Sequence, residues 1–108
     1  MVYAALSQIK EWLHGITGTA YDTELTNIQS DINREIDRKL GLVASLPITD
    51  TTIRAELARY EARISSLIFQ LRRAGAEERR QIQIAIQKEW ISFGELVANR
   101  FGFGVVIG

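Results

Sequence analysis

The sequence predicts an all-α fold: a small bundle of about four helices, with a long C-terminal helical hairpin and an extended C-terminal tail. Three observations lead there. Apolar residues recur at spacings of three and four along four separate stretches, turn-forming glycines or the single proline fall between those stretches, and no internal repeat or second domain is visible. Residues 1–100 therefore read as one helical domain and residues 101–108 as a tail.

The first helix is expected over about residues 4 to 14, with Leu6, Ile9, Trp12 and Leu13 on one stripe and Gly15 as its stop. After a glycine- and threonine-rich loop, Asp22 or Thr19 is placed to cap a second helix by accepting from its free N–H groups. That helix carries Leu25, Ile28, Ile32, Ile36 and Leu40 and ends at Gly41, where glycine most easily takes a left-handed conformation. Residues 41–50 lack a helical period and hold the only proline, which predicts an apolar linker lying against the core. Asp50 or Thr49 caps a third helix with Ile53, Leu57, Tyr60, Ile64, Leu67, Ile68 and Leu71 on one face. Running to residue 73, it is about 35 Å long at about 1.5 Å per residue.

Gly75 breaks that helix. Arg72 and Arg73 then stand at its negative end, while Glu77 and Glu78 stand at the positive end of a fourth. So short a turn predicts antiparallel packing. The fourth helix places Ile82, Ala85, Ile86, Trp90, Phe93 and Val97 toward the core and runs to about Asn99.

Composition bounds the function. The 108 residues are 46% apolar, too many for a disordered chain, and include no cysteine. Disulfides, thiolate metal sites and a cysteine nucleophile are thereby excluded. Thirteen basic residues balance thirteen acidic ones, so no global field drives binding to nucleic acid. Neither a transmembrane helix nor a signal peptide is indicated, and the chain reads as soluble and intracellular.

Several residues fall outside a simple core. Ile84 and Ile91 sit two turns apart on the side of the fourth helix opposite Ile82 and Phe93, forming a second apolar stripe. Either the first helix or the linker covers them, or they meet another subunit. Ala55, Ala58, Ala62, Ser65 and Ser66 line the face of the third helix away from its stripe. There they are either good helix formers facing water or small residues admitting a second helix. The tail, Phe101-Gly102-Phe103-Gly104-Val105-Val106-Ile107-Gly108, has glycines that disfavour a helix and β-branched residues that favour a strand. It either folds back into a groove on its own bundle or is held for another protein, and Phe101, Phe103, Val105, Val106 and Ile107 are expected to dock a partner.

Chemistry finds little footing, and the reading is not an enzyme: no catalytic, cofactor-binding or metal-ligating residues are assigned. His14, the only imidazole, is best explained as a helix-terminal cation or a surface residue. Asp31 with Arg34, and Glu35 with Arg38 and Lys39, stand at helical pairing distance, which predicts a salt-bridged face rather than a cation site. Arg72, Arg73, Arg79 and Arg80 gather at the turn between the last helices, where they serve helix-end electrostatics or contact phosphates.

Residues 3–42 carry a resemblance. Tyr3-Ala-Ala-Leu6-Ser-Gln-Ile9-Lys10-Glu-Trp-Leu13, a short glycine loop, then Leu25, Ile28, Ile32, Ile36 and Leu40-Gly41 after Asp22, resemble the head-tail connector (adaptor) proteins of tailed bacteriophages. Ser30 and Asp31 stand where that family often has alanines. The resemblance implies a virion neck component, made in the host cytoplasm: a helical subunit, usually in twelve copies, ringed under the portal protein, extending the DNA channel and docking the next neck or tail protein. Under it, Ile84, Ile91, Ala55, Ala58 and Ala62 become lateral contacts, the tail becomes the portal-docking element, and the arginines come near passing DNA. Without it, the residues fit a small helical DNA-binding or regulatory module, or a cellular homodimer.

Overall fold

The computed structural model describes residues 3–13, 16, 18–42, 44, 46 and 48–101. Four helices follow in order: α1 (Leu6–Lys10), α2 (Asp22–Leu40), α3 (Thr51–Leu71) and α4 (Ala76–Phe101). The bundle is all-α, as the apolar spacing predicts. Gly15, His14 and tail residues 102–108, including Phe103, Val105, Val106 and Ile107, lie outside the described residues.

Local chemistry accounts for the boundaries. Helix α1 is shorter than its stripe suggests because its last turn tightens, with Trp12 N–H donating to the Ile9 carbonyl at 3.1 Å and Leu13 N–H to Lys10 at 3.0 Å. This turn carries Trp12 out of the stripe, leaving it 39% exposed with the Arg63 guanidinium 4.7 Å from its ring centre. Tyr21, not Asp22 or Thr19, occupies the cap position of α2, without a side-chain cap bond. Asp22 instead pairs with Lys10 at 2.7 Å, tying α1 to the start of α2. Gly41 is right-handed, with φ −60°, since Ala44 N–H continues the turn by donating to the Leu40 carbonyl at 2.9 Å. Asp50 caps α3 as expected, accepting from Ile53 N–H at 2.9 Å.

Helix α3 is the axis of the molecule. Against it α4 runs antiparallel: Arg79 reaches the Leu71 carbonyl at 2.9 Å, the Tyr60 and Ser92 hydroxyls meet at 2.5 Å, and Glu56 pairs with Arg100 at 2.8 Å. On its other flank α2 is antiparallel too, with Glu24 beside Arg72 and Arg73, and with Ile36 and Leu40 in the same cluster as Leu57. Helix α1 lies across α2 and α3. The result is a slab of 38 × 28 × 18 Å.

Two apolar clusters fill it. Ile9, Leu13, Leu25, Ile28, Ala58, Ala62 and Phe69 form one, and Ile36, Leu40, Ile48, Leu57, Phe93 and Val97 the other. Phe101 corrects the expected start of the tail: at a spacing of four from Val97 and eight from Phe93, it prolongs their stripe, packs on the second cluster and ends α4. In the linker Ile48 is buried and Ala44 half-buried, whereas Leu42 and Leu46 are exposed.

One charged group is fully enclosed. Glu61 Oε2 accepts from Tyr3 N–H at 2.7 Å and Ala4 N–H at 2.6 Å, and Gln29 donates to the Ala4 carbonyl at 2.5 Å. Tyr3 donates its hydroxyl to Asp37 at 2.6 Å; burial and that carboxylate push the phenol well above its ordinary pKa. The segment ahead of α1 is thus clamped across the α2–α3 seam by polar groups that would otherwise be buried without partners.

Candidate functional site

The N-terminal half of α4 rises above the layer made by α2 and α3. Ala76 to Gln81 are all exposed, and Ile82 is the first residue of the helix to be buried, with Phe93 the next. On its outer side Ile84 and Ile91 are 45% and 55% exposed. Helix α1 does not cover them, because it packs on α2 and α3. Both isoleucines therefore stand in the isolated chain as the stripe their spacing predicts.

The small residues of α3 are elsewhere. Ala58 and Ala62 are 5% and 1% exposed within the α1–α2 cluster, and Ser65 and Ser66 are enclosed. As an intersubunit face they are corrected: they admit α1 and α2 of the same chain, which approach α3 closely where its side chains are short. Ala55 alone of the three alanines is exposed.

Opposite the isoleucines, a cleft of about 410 Å³ opens between α1, the α3 terminus and α4. Trp12, Leu13, Ile16, Phe69 and Ile82 give it an apolar floor, and Arg73 and Glu78 stand at its rim. A further groove separates α2 from α4. Trp90 floors it, edge-on to Phe93 at 5.5 Å, with the Lys39 ammonium 5.4 Å from its ring centre. Its two portions, about 260 and 450 Å³, share Lys39 and Trp90. The sequence pattern assigned Trp90 to the core, and half of that is correct: the half-buried ring meets Phe93 in a T-shaped contact while the rest lines the groove. Trp12 belongs to its cleft in the same way. The signal for both was the size of the indole, which is seldom enclosed whole.

The four arginines divide by role. Arg73 grips Glu24 through both nitrogens, at 2.6 and 3.1 Å, while its guanidinium lies over Phe69 at 3.7 Å and Tyr21 at 5.0 Å. Arg72 joins the same carboxylate at 3.2 Å. That grip, Arg73 first, holds the Glu24 carboxyl below the usual carboxylate range. Arg79 closes the end of α3, and Arg80 is exposed in the second turn of α4. Three of the four thus brace helix ends within the chain.

The expected salt-bridged face of α2 is present: Asp31 with Arg34 at 3.5 Å, Glu35 with Arg38, and Glu35 with Lys39 at 3.9 Å. Arg38 holds Glu35 below the usual range. Among the described residues no group of three His, Asp or Glu side chains gathers as a metal site, and no helix is long and apolar enough to cross a membrane. Glu61 is engaged by main-chain N–H groups. No family model, curated protein or solved structure matches the chain.

Proposed function

We propose that the chain is a non-enzymatic assembly subunit that joins copies of itself side by side into a ring, in the manner of the head-tail connectors that residues 3–42 resemble. The observation that carries this reading is the exposed pair Ile84 and Ile91. Two β-branched residues two turns apart on one helix make a ridge whose exposure a monomer does not need. The apolar cleft at Trp12, Ile16 and Ile82 lies on the other side of α4. A ridge and a cleft on different faces suit head-to-tail contact, the kind that closes into a ring when the rotation per subunit allows it. In such a ring Ile84 and Ile91 of one copy seat in the neighbour's cleft, with Ala55 on the periphery. The portal protein and the next neck or tail protein are the partners above and below, and exposed Arg80 is the arginine best placed for passing DNA.

The test is assembly. Ile84→Glu with Ile91→Glu keeps the helical content and changes unfolding by only about 0.5 kcal/mol, as surface substitutions do, yet abolishes rings formed with the portal partner in electron micrographs. Unfolding of the double variant would place both residues in the chain's own core, and rings of normal number would assign lateral contact elsewhere.

A further inference from the structure

The geometry points to a strap: residues 3–13, gripped at their front end by side chains of α2 and α3, open and close as one unit, and closing builds the α1 wall of the Trp12 cleft. The strap belongs to the single chain and acts on the cleft whatever occupies it, with or without a ring.

The grip is polar and falls largely on the main chain. Glu61 of α3 has no exposed surface, and its Oε2 accepts from Tyr3 N–H at 2.7 Å and Ala4 N–H at 2.6 Å. Gln29 of α2 donates to the Ala4 carbonyl at 2.5 Å. The Tyr3 hydroxyl donates to Asp37 of α2 at 2.6 Å, and the Arg54 guanidinium of α3 lies 5.3 Å from the Tyr3 ring centre. Two helices thus hold the same two residues. When the segment leaves, each of these groups meets water instead, so the grip can release without a large apolar cost.

Little else holds the strap down. Helix α1 has five residues, far short of what persists in water by itself. Only Ala4, Ile9 and Leu13 of the strap are buried. Behind, Lys10 ties it to the start of α2 through Asp22 at 2.7 Å and the Gly18 carbonyl at 2.9 Å. Local opening is easiest where so few apolar contacts must break.

The strap is nevertheless continuous within itself. Gln8 N–H donates to Ala5, Glu11 to Ser7, Trp12 to Ile9 and Leu13 to Lys10, all at 3.0–3.1 Å. Release at Tyr3 and Ala4 therefore carries Trp12 and Leu13 with it. Those two side chains are the α1 side of the cleft, facing Phe69 and Ile82 from α3 and α4. Closed, the strap gives the cleft two walls; open, it leaves one. A partner seated there contacts the closed form alone and, by linkage, holds the strap shut. The clamp at Glu61 and Gln29 thereby sets how much of the population offers a cleft.

Native-state hydrogen exchange of the full chain tests the strap. The amides of Ala4, Trp12 and Leu13 are expected to share one opening equilibrium, at least about tenfold more open than that of residues 60–69. Tyr3→Phe removes the bond to Asp37 and keeps the ring; Gln29→Met removes the donor to the Ala4 carbonyl at similar volume. Each should speed exchange at Ala4 and at Leu13 by the same factor, about tenfold, and leave residues 60–69 unchanged. Three results overturn the inference. Acceleration at Ala4 without Leu13 would mean that the front end frays and the cleft wall stays; equal acceleration in residues 60–69 would make the clamp part of the global core; unchanged exchange at both amides would mean that the grip does not hold the strap.

Discussion

Glu61 presents the sharpest contrast between residue type and surroundings. A carboxylate with no exposed surface is costly unless its lone pairs are met, and here two main-chain N–H groups meet one oxygen. Glu61→Ala leaves both donors buried and opens a cavity, which should cost about 3 kcal/mol in urea unfolding. Glu61→Gln keeps an acceptor oxygen and removes the charge. Burial, opposed by the Ala4 and Tyr3 N–H groups and the Asn33 and Gln29 amides, holds the Glu61 carboxyl above its ordinary range. A raised carboxyl contributes stability that is full below the unfolded pKa, about 4.3, and is lost as pH rises through the folded value. Glu24 and Glu35, held low by Arg73 and Arg38, contribute in the opposite sense: their share is present above the ordinary carboxylate pKa and fades as pH falls through their folded values. The stability of Glu61→Gln relative to the native chain should therefore rise from pH 4 to pH 7. A difference that stays constant across that range would remove the buried charge from the account.

At the scale of elements, α3 separates what periodicity can reveal from what it cannot. A stripe of residues at three and four assumes one buried face, and that assumption serves α2, whose Leu25, Ile28, Ile36 and Leu40 are all enclosed. The ion pairs of α2 and the Asp50 cap were legible for a related reason, because contacts within about one turn depend on spacing alone. Helix α3 is packed by α1, α2 and α4 together, so Ala58, Ala62, Ser65 and Ser66 are interior although they lie off the stripe. Glu61, Gln29 and Asn33 were illegible because polar side chains carry no sign of burial until a partner from a distant segment arrives. Ala62→Leu should cost about 1–3 kcal/mol through overpacking against α1 and α2. Thermal unfolding equal to the native chain would return Ala62 to the surface and reopen it as an interface residue. Asp50→Ala, which removes the acceptor for Ile53 N–H, should cost about 1 kcal/mol. An unchanged midpoint would mean that the cap bond is replaced by water without loss.

Over the whole molecule, stability should grade from the axis outward, because local opening is easiest where few apolar contacts must break. Helix α3 has neighbours on three sides, whereas α4 buries only Ile82 before Phe93 and holds Ile84 and Ile91 in water. Their spacing is what made Ile84 and Ile91 legible as candidate site residues, since two isoleucines seven apart can be found without knowing any fold. The clefts that would receive a partner were not legible, being built from Trp12, Ile82 and Trp90 of helices whose relative placement the sequence does not state. Native-state hydrogen exchange tests the gradient and its use together. In the free chain, amides of residues 80–91 should exchange at least about tenfold faster than those of residues 60–69, while both α4 beyond Phe93 and α3 stay protected. Under the proposed side-by-side assembly, protection should rise in residues 80–91 and, on the receiving side, around Trp12 and Ile82, with little change in the core of α3. Equal protection of the two segments in the free chain would show that α4 needs no partner for its stability. Assembly without added protection at residues 80–91 would move the lateral contact off the Ile84–Ile91 ridge altogether.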